Sequence, residues 1–301
     1  MTEAGAGAGA AGRGLPPVPG HRFAEQLAFL GAFPAYTAES VGDGVLLWYR
    51  AGTAVRSLEL RPAPGGGVAV AGDLALARAI LRADAAPLPP ASALPPHPTA
   101  HRLLHRRYGG IRPVLFPEPF EGICWAILGQ QVTVAQAARL KADLARRHGE
   151  AVRGPADPLH VFPGPERVAA LPTAELRAAG LSRQKAGALS AVAAAIASGA
   201  WDPEGLRRQP EREAMERLER FPGVGRWTAE YVLLRVAGHP DVLPAGDAAL
   251  QRAWARLQGR DGRVDAAALR AAGAAWAGWR SDFAFCLWLH NREARRAAAG
   301  G

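Results

Sequence analysis

Cysteine is nearly absent: 301 residues hold only Cys124 and Cys286, far apart and each inside an apolar run, GICWAIL and FAFCLWL. They read as small buried hydrophobes, and neither a disulfide framework nor a four-cysteine metal or cluster site can be built from two. A reducing, cytoplasmic setting is expected. No apolar run is long enough to cross a bilayer, and the opening MTEAGAGAGAAGRG lacks the apolar core of a signal peptide. A soluble intracellular protein with no membrane partner is the expectation. Lysine is as scarce as cysteine, with Lys141 and Lys185 the two in a chain that sets 36 Lys plus Arg against 27 Asp plus Glu for a formal charge of +9. The basic surface is therefore almost wholly arginine, whose planar fork donates two parallel hydrogen bonds to a phosphate. Such a charge points toward nucleic acid, although a composition rich in Ala, Gly, Pro and Arg produces the same excess with no such partner.

The length allows two domains, each with its own core. Residues 1–18 are Gly/Ala-rich and then Pro-rich, and so little apolar area predicts a disordered tail. From His21 the run FAEQLAFLGAF has helical spacing and stops at Pro34. VLLWYR, VRSLELRP and VAVAG follow, cut by Gly, Pro and Asp turns, and read as strands of a small antiparallel sheet. DLALARAILRA closes this unit as a helix, and PLPPASALPPHP is a proline-rich connection. Beyond residue 100 the pattern predicts helices throughout. FEGICWAILGQQVTVAQAARLKADLARRHG, ELRAAGL, KAGALSAVAAAIASG, PEREAMERLERF, RWTAEYVLLRVAG, DAALQRAWARL and SDFAFCLWLHNREARR all carry the period and the Gly or Pro punctuation. The expected fold is mainly α, with a small α+β domain at 19–98 ahead of an all-helical domain at 99–295.

Residues 221–231, FPGVGRWTAEY, are the most pointed stretch. Pro222 ends one helix, Gly223 and Gly225 permit backbone angles that a side chain would forbid, and Arg226 starts the next helix. With no bulk over the turn, the N–H groups at that helix start lie open to an anion, and Arg226 and Thr228 are candidate side-chain donors beside them. This is the pattern of a helix-hairpin-helix at about 211–237, which holds duplex backbone without reading sequence; a plain αα turn reads the same from PGVG alone. Asp247, in HPDVLPAGDAALQRAW, follows Trp227 by 20 residues and directly precedes a helical run. An aspartate at such a place reads first as an ordinary helix N-cap, which does not exclude catalysis: a capping carboxylate that accepts N–H bonds is expected to stay ionised, as the stabiliser of a positive transition state must.

FPGVGRWTAEYVLLR and LPAGDAAL, preceded by FEGICWAILGQQVTVAQAA and followed by WRSDFAFCLWL, resemble the helix-hairpin-helix (HhH-GPD) DNA glycosylases, most of all the bacterial 3-methyladenine DNA glycosylase II (AlkA-type) branch. The likeness runs from about residue 20 to about residue 290 and includes the small α+β domain ahead of the helical one. It implies that Asp247 is the catalytic carboxylate and that the hairpin residues Gly223, Val224, Gly225 and Arg226, with Thr228, hold the DNA backbone. It also implies that the main-chain oxygens of Glu219, Phe221 and Val224 can hold a metal cation, with no cofactor required. In bifunctional relatives a lysine follows the second hairpin glycine by two positions; here that position is Trp227, so no amine is placed to form a Schiff base and no lyase activity is expected. Lys185 reads as a solvated charge.

The branch acts on a base turned out of the duplex, and a cationic alkylated purine calls for flat, electron-rich walls. By resemblance Tyr231 and Trp288 flank the base with Trp227 close by, Trp227 and Tyr231 sharing one helix face. Trp125 is a further candidate from position, and ordinary core is the alternative for each aromatic. The plug that fills the vacated stack comes from the turn in ILGQQVT; it is a leucine in a well-known branch member and is matched here by Gln131. Gln130 and Thr133 border that turn, and Arg280 with Ser281 form a structural or phosphate-contacting run. The implied partner is double-stranded DNA carrying alkylated bases, the implied state a monomer. Two alternatives stand: a glycosylase for deaminated or oxidised bases, and a non-catalytic DNA-binding module.

Overall fold

The computed structural model describes residues 14–88, 99–154 and 158–299. Five strands, β1 (Gly14–Leu15), β2 (Ala38–Val41), β3 (Gly44–Ala51), β4 (Ala54–Pro62) and β5 (Val68–Ala71), form an antiparallel sheet in the order β1-β5-β4-β3-β2. Along β4, Leu58 and Leu60 are buried while Ser57, Glu59 and Arg61 face away from the core, the period-two signature of a sheet with one covered face. That cover is α1 (Phe23–Ala32), which buries Phe23, Gln26, Leu27, Phe29 and Leu30. Helix α2 (Leu74–Ile80), N-capped by Asp73, ends the lobe. Gly14 and Leu15 belong to the sheet rather than to a tail: they pair with Ala69 and Val68, and Leu15 is buried. Strand pairing supplies the burial that the composition of residues 1–18 lacks, while residues 1–13 and most of the proline-rich connection (89–98) lie outside the described residues.

The second lobe is helical. It comprises α3 (Thr99–Tyr108), α4 (Pro119–Leu128), α5 (Val134–His148), α6 (Pro165–Ala169), α7 (Thr173–Ala178), α8 (Arg183–Ala197), α9 (Glu211–Glu219), α10 (Arg226–Val232), α11 (Ala248–Leu257), α12 (Ala266–Gly273) and α13 (Arg280–Ala299). Helices are not continuous, because β6 (Glu150–Arg153) and β7 (Pro158–Val161) form a short antiparallel pair after α5. The run FEGICW…RRHG is two helices. Helix α4 is buried along its whole length; it ends at Gly129, Gln131 takes a left-handed backbone (φ 55°), and Thr133 opens α5 with a capping box closed by Gln136. Helix α10 passes directly into a wider π-type turn, Leu233–Ala237, closed by Gly238 at φ 75°. Among the described residues no helix is long and apolar enough to cross a membrane.

One apolar core runs through both lobes. Phe29 of α1 meets Phe285 of α13 edge-on, and Phe33 does the same to Trp125 of α4. Buried charges of the helical lobe also reach the sheet lobe: Lys141 Nζ, 2.6 Å from Glu121 Oε1, lies 3.4 Å from the Thr37 hydroxyl, and Asp282, 3.1 Å from Arg112 Nη1, lies 3.9 Å from Arg82 Nη1.

Candidate active site

The turn between α9 and α10 is the expected hairpin. Pro222 cannot extend α9, and Gly223 adopts φ 79°, where a Cβ would also press on Ala188 Cβ at 3.2 Å. Gly225 differs from the expectation: its φ of −97° and ψ of 178° are open to any residue, and a Cβ there would meet nothing within 4 Å. Its value lies in the space it leaves, since it gives α10 no side-chain cap and keeps the first N–H groups of the helix uncovered. Arg226 is exposed beside them, its guanidinium held 3.0 Å from Glu230 Oε1, which also accepts from Arg270 at 2.9 Å. Thr228 is not a phosphate donor. It is buried, and its hydroxyl accepts from Gln130 Nε2 at 2.9 Å.

Asp247 N-caps α11, its Oδ1 accepting from Ala249 N at 2.8 Å and Leu250 N at 3.0 Å. Its Oδ2 accepts the indole N–H of Trp227 at 3.2 Å, so Trp227 reaches across from α10 to the carboxylate. Burial raises the pKa above the ordinary aspartate value, against the pull of the Leu250 and Ala249 amides and of the Trp227 and Trp288 indoles. The capping bonds are those expected from the sequence, but desolvation outweighs them. Beside this carboxylate the aromatic set assembles. Tyr231 sits between Trp227 and Trp288, with ring centroids 5.7 and 5.5 Å away. Trp227 and Trp288 are half-buried, while Trp125 lies beneath, 4% exposed, donating its indole N–H to the Tyr231 hydroxyl at 3.0 Å. Trp125 therefore holds Tyr231 from beneath.

Around this centre the remaining candidates divide. Gln131 and Thr133 are exposed at the α4–α5 turn, where a side chain can meet DNA, although Thr133 also spends its hydroxyl on the cap of α5. Gln130 is turned inward and donates to Gly223 O at 2.8 Å as well as to Thr228. Arg280 is committed to Asp241, with Nε 2.7 Å and Nη2 2.5 Å from its two carboxylate oxygens, and Ser281 is buried against the His239 carbonyl at 2.6 Å. The structural role of that pair is the one the geometry favours. Lys185 is not solvated: it is buried, its ammonium donates to Leu128 O at 2.7 Å, and desolvation lowers its pKa. It lies four residues before the buried Leu189 of α8, so helical spacing alone puts it on the covered face.

Arg235 carries a role that the motif reading passes over. It is 1% exposed, donates to Val114 O at 2.8 Å and to the Tyr36 hydroxyl at 2.5 Å, and has no carboxylate partner among the described residues. Six aromatic rings surround it, including Tyr231 and Trp288 at 5.9 Å each. The signal is visible in YVLLRVAG, where one charge interrupts an apolar helical run and must find partners inside.

With this geometry in view, the comparison with known proteins is specific. The sequence profile of the HhH-GPD superfamily base excision DNA repair proteins matches residues 124–277, half of the chain, from α4 through the hairpin and Asp247 to α12. The chain belongs to this family. The DNA-3-methyladenine glycosylase of Bacillus subtilis (strain 168) is 30% identical over 183 residues, covering 61% of this chain and 60% of its own length. DNA-3-methyladenine glycosylase 2 of Escherichia coli (strain K12) is 36% identical over 187 residues, 60% of this chain and 62% of its own. The chain thus spans about three fifths of the length of these curated relatives. A solved structure, the 3-methyladenine DNA-glycosylase from Archaeoglobus fulgidus, superposes with a TM-score of 0.75 at 26% identity and covers 91% of this chain and 96% of that one. The mainly α fold behind a small antiparallel sheet, and the AlkA-type branch of the HhH-GPD family, are as the residue motifs imply.

Proposed function

We propose that the protein is a monofunctional DNA glycosylase that releases alkylated purines from double-stranded DNA by hydrolysis. The observation that carries the proposal is Asp247, a desolvated carboxylate tied to the Trp227 indole beside the Tyr231–Trp288 pair and next to a hairpin whose helix start is uncovered. A target nucleotide turned out of the stack brings its base against the aromatics and its deoxyribose toward the carboxylate. An N3- or N7-alkylated purine carries a positive charge, so when the C1′–N bond breaks the electron pair leaves with a neutral base and no general acid is required. The sugar is left as an oxocarbenium ion, whose charge Asp247 offsets until water adds at C1′ and gives up a proton, leaving an abasic site. No amine stands at position 227 to trap the sugar, and that of Lys185 is engaged with the Leu128 carbonyl, so strand cleavage through a Schiff base is not expected.

The named activities of the relatives support this reading. The protein works as a monomer in the cytoplasm and needs no cofactor for the chemical step. The main-chain carbonyls of Glu219, Phe221 and Val224 at the end of α9 are hard oxygens of the kind that the cation implied by the resemblance prefers, that of Phe221 also accepting the Val224 N–H at 3.0 Å. Bound there, it would add positive charge on the phosphate side of the hairpin.

Asp247→Asn keeps the helix cap, because asparagine caps as well as aspartate. The variant is expected to bind methylated duplex like the parent and to release base about 10²–10³-fold more slowly. Release of 3-methyladenine at the parental rate would remove Asp247 from the mechanism. Strand breaks in methylated duplex should appear only after alkali; breaks without alkali would restore a lyase step. Arg235 favours a second reading, release of neutral damaged bases by the same carboxylate, because a cationic base would meet its fixed charge behind Tyr231 and Trp288. Comparing release of 7-methylguanine and hypoxanthine separates the two.

A further inference from the structure

The α4–α5 turn and the α9–α10 hairpin are 93 residues apart in sequence, counted from Gln130 to Gly223, yet one side chain joins them. Gln130 Nε2 uses both of its hydrogens across the gap, one on Gly223 O at 2.8 Å and one on Thr228 Oγ1 at 2.9 Å. A carbonyl can only accept, so the amide orientation is settled by its partner. On the near side the turn is pinned from below by the buried Lys185 ammonium on Leu128 O, and on the far side by the capping box of Thr133 and Gln136. Between these fixings stands Gln131, exposed and held at φ 55°, a left-handed backbone that a non-glycine residue adopts only when its surroundings impose it. The hairpin is seated on the same support, since Gly223 packs on Ala188 and Gln184 of α8, the helix that carries Lys185.

We propose that Gln130 is a positioning residue that locks the exposed turn to the hairpin, so that seating the hairpin on a DNA phosphate delivers Gln131 to the base stack in the same movement. This rests on the glycosylase reading above. Without the lock each element still folds and can still contact DNA, but the hairpin's grip on the backbone no longer sets where residue 131 goes. The cost then falls on extrusion, not on the chemistry at Asp247. A lesion that is already unpaired needs little help to leave the stack and should not register the loss.

The test uses the full chain and two duplexes carrying a single 7-methylguanine, one opposite cytosine and one opposite a tetrahydrofuran abasic analogue. Single-turnover release by the parent protein on either duplex establishes the activity; release on neither removes the glycosylase reading itself. Given an active parent, Gln130→Ala is expected to slow release opposite cytosine by about 10-fold, the loss of two hydrogen bonds of ordinary strength, and to change release opposite the abasic analogue by less than about 2-fold. Gln130→Met, of similar length and without donors, should give the same split and decides the matter if the alanine variant melts early. A second readout omits chemistry: in the Asp247→Asn background, the fluorescence of 2-aminopurine placed beside the lesion should rise on binding and lose most of that rise when Gln130→Met is added. Equal slowing on both duplexes would make Gln130 a structural residue only. No slowing on either, or an unchanged fluorescence rise, would overturn the coupling.

Discussion

At the scale of single residues, the site turns on a carboxylate whose surroundings pull in opposite directions. Burial lifts the pKa of Asp247, while two backbone amides and the Trp227 indole favour the anion. If the anion is the working form, base release is full above this raised pKa and falls as the pH drops through it. The acid limb of the single-turnover rate should then lie above the pH at which an ordinary aspartate titrates. The fold does not fail with it: a carboxyl whose pKa is raised by folding binds its proton more tightly in the folded state, so protonation here does not unfold the chain. Circular dichroism at the same pH values should stay native while activity disappears. Trp227→Phe keeps most of the ring and deletes the N–H donor, which should move the acid limb upward. A limb that stays in place, or moves down, would mean that the indole does not hold the carboxylate. The same residue shows what the sequence could and could not disclose. Its capping position and its distance from Trp227 are legible in PAGDAAL and RWTAEY, but the net direction of its pKa is not, because desolvation depends on how helices α10, α11 and α13 close around it.

At the scale of elements, the two hairpin glycines separate folding from binding. Gly223 sits at φ 79° with Ala188 close by, so Gly223→Ala should lower stability by about 1–2 kcal/mol from backbone strain alone, read as a drop in melting temperature without DNA present. Gly225 has an ordinary backbone and open space around it, so Gly225→Ala should melt like the parent yet bind duplex more weakly, because the added methyl stands where a phosphate approaches. If Gly225→Ala binds normally, the hairpin is a turn and not a phosphate site. Amphipathic period and Pro/Gly punctuation made α1, α9, α10, α11 and α13 readable in sequence. Three features were not. The break between α4 and α5 leaves no mark in the period of AILGQQVTVAQAA, being set by a left-handed Gln131, and only the family resemblance points to a turn there. The pair β6–β7 is too short to show a period, and β1 is made a strand only by its partner β5. Among side chains, Gln130, Thr228 and Lys185 look like solvent-facing polar groups in sequence, and each proves to be bonded inward across elements far apart in the chain.

At the scale of the whole molecule, the sheet lobe is continuous with the helical lobe. Phe29 and Phe33 of the first lobe help to cage Arg235, the Tyr36 hydroxyl accepts from its guanidinium, and Phe33 packs on the Trp125 that holds Tyr231. The aromatic wall of the site is thus supported from the neighbouring lobe, and removing that support exposes a guanidinium to a place built without a carboxylate for it. Two domains that merely adjoin would melt separately. A shared core with a shared buried cation should instead give one calorimetric transition whose van't Hoff and calorimetric enthalpies agree. Phe29→Ala, at a 5%-exposed position against Phe285 and Arg235, should move that whole transition down by about 3–5 kcal/mol of stability rather than split it. Near-ultraviolet dichroism from the tryptophans of the helical lobe should be lost at the same temperature as the far-ultraviolet signal. Two resolved peaks, with only the first displaced by the substitution, would show that the lobes are independent and that the base pocket stands without the sheet.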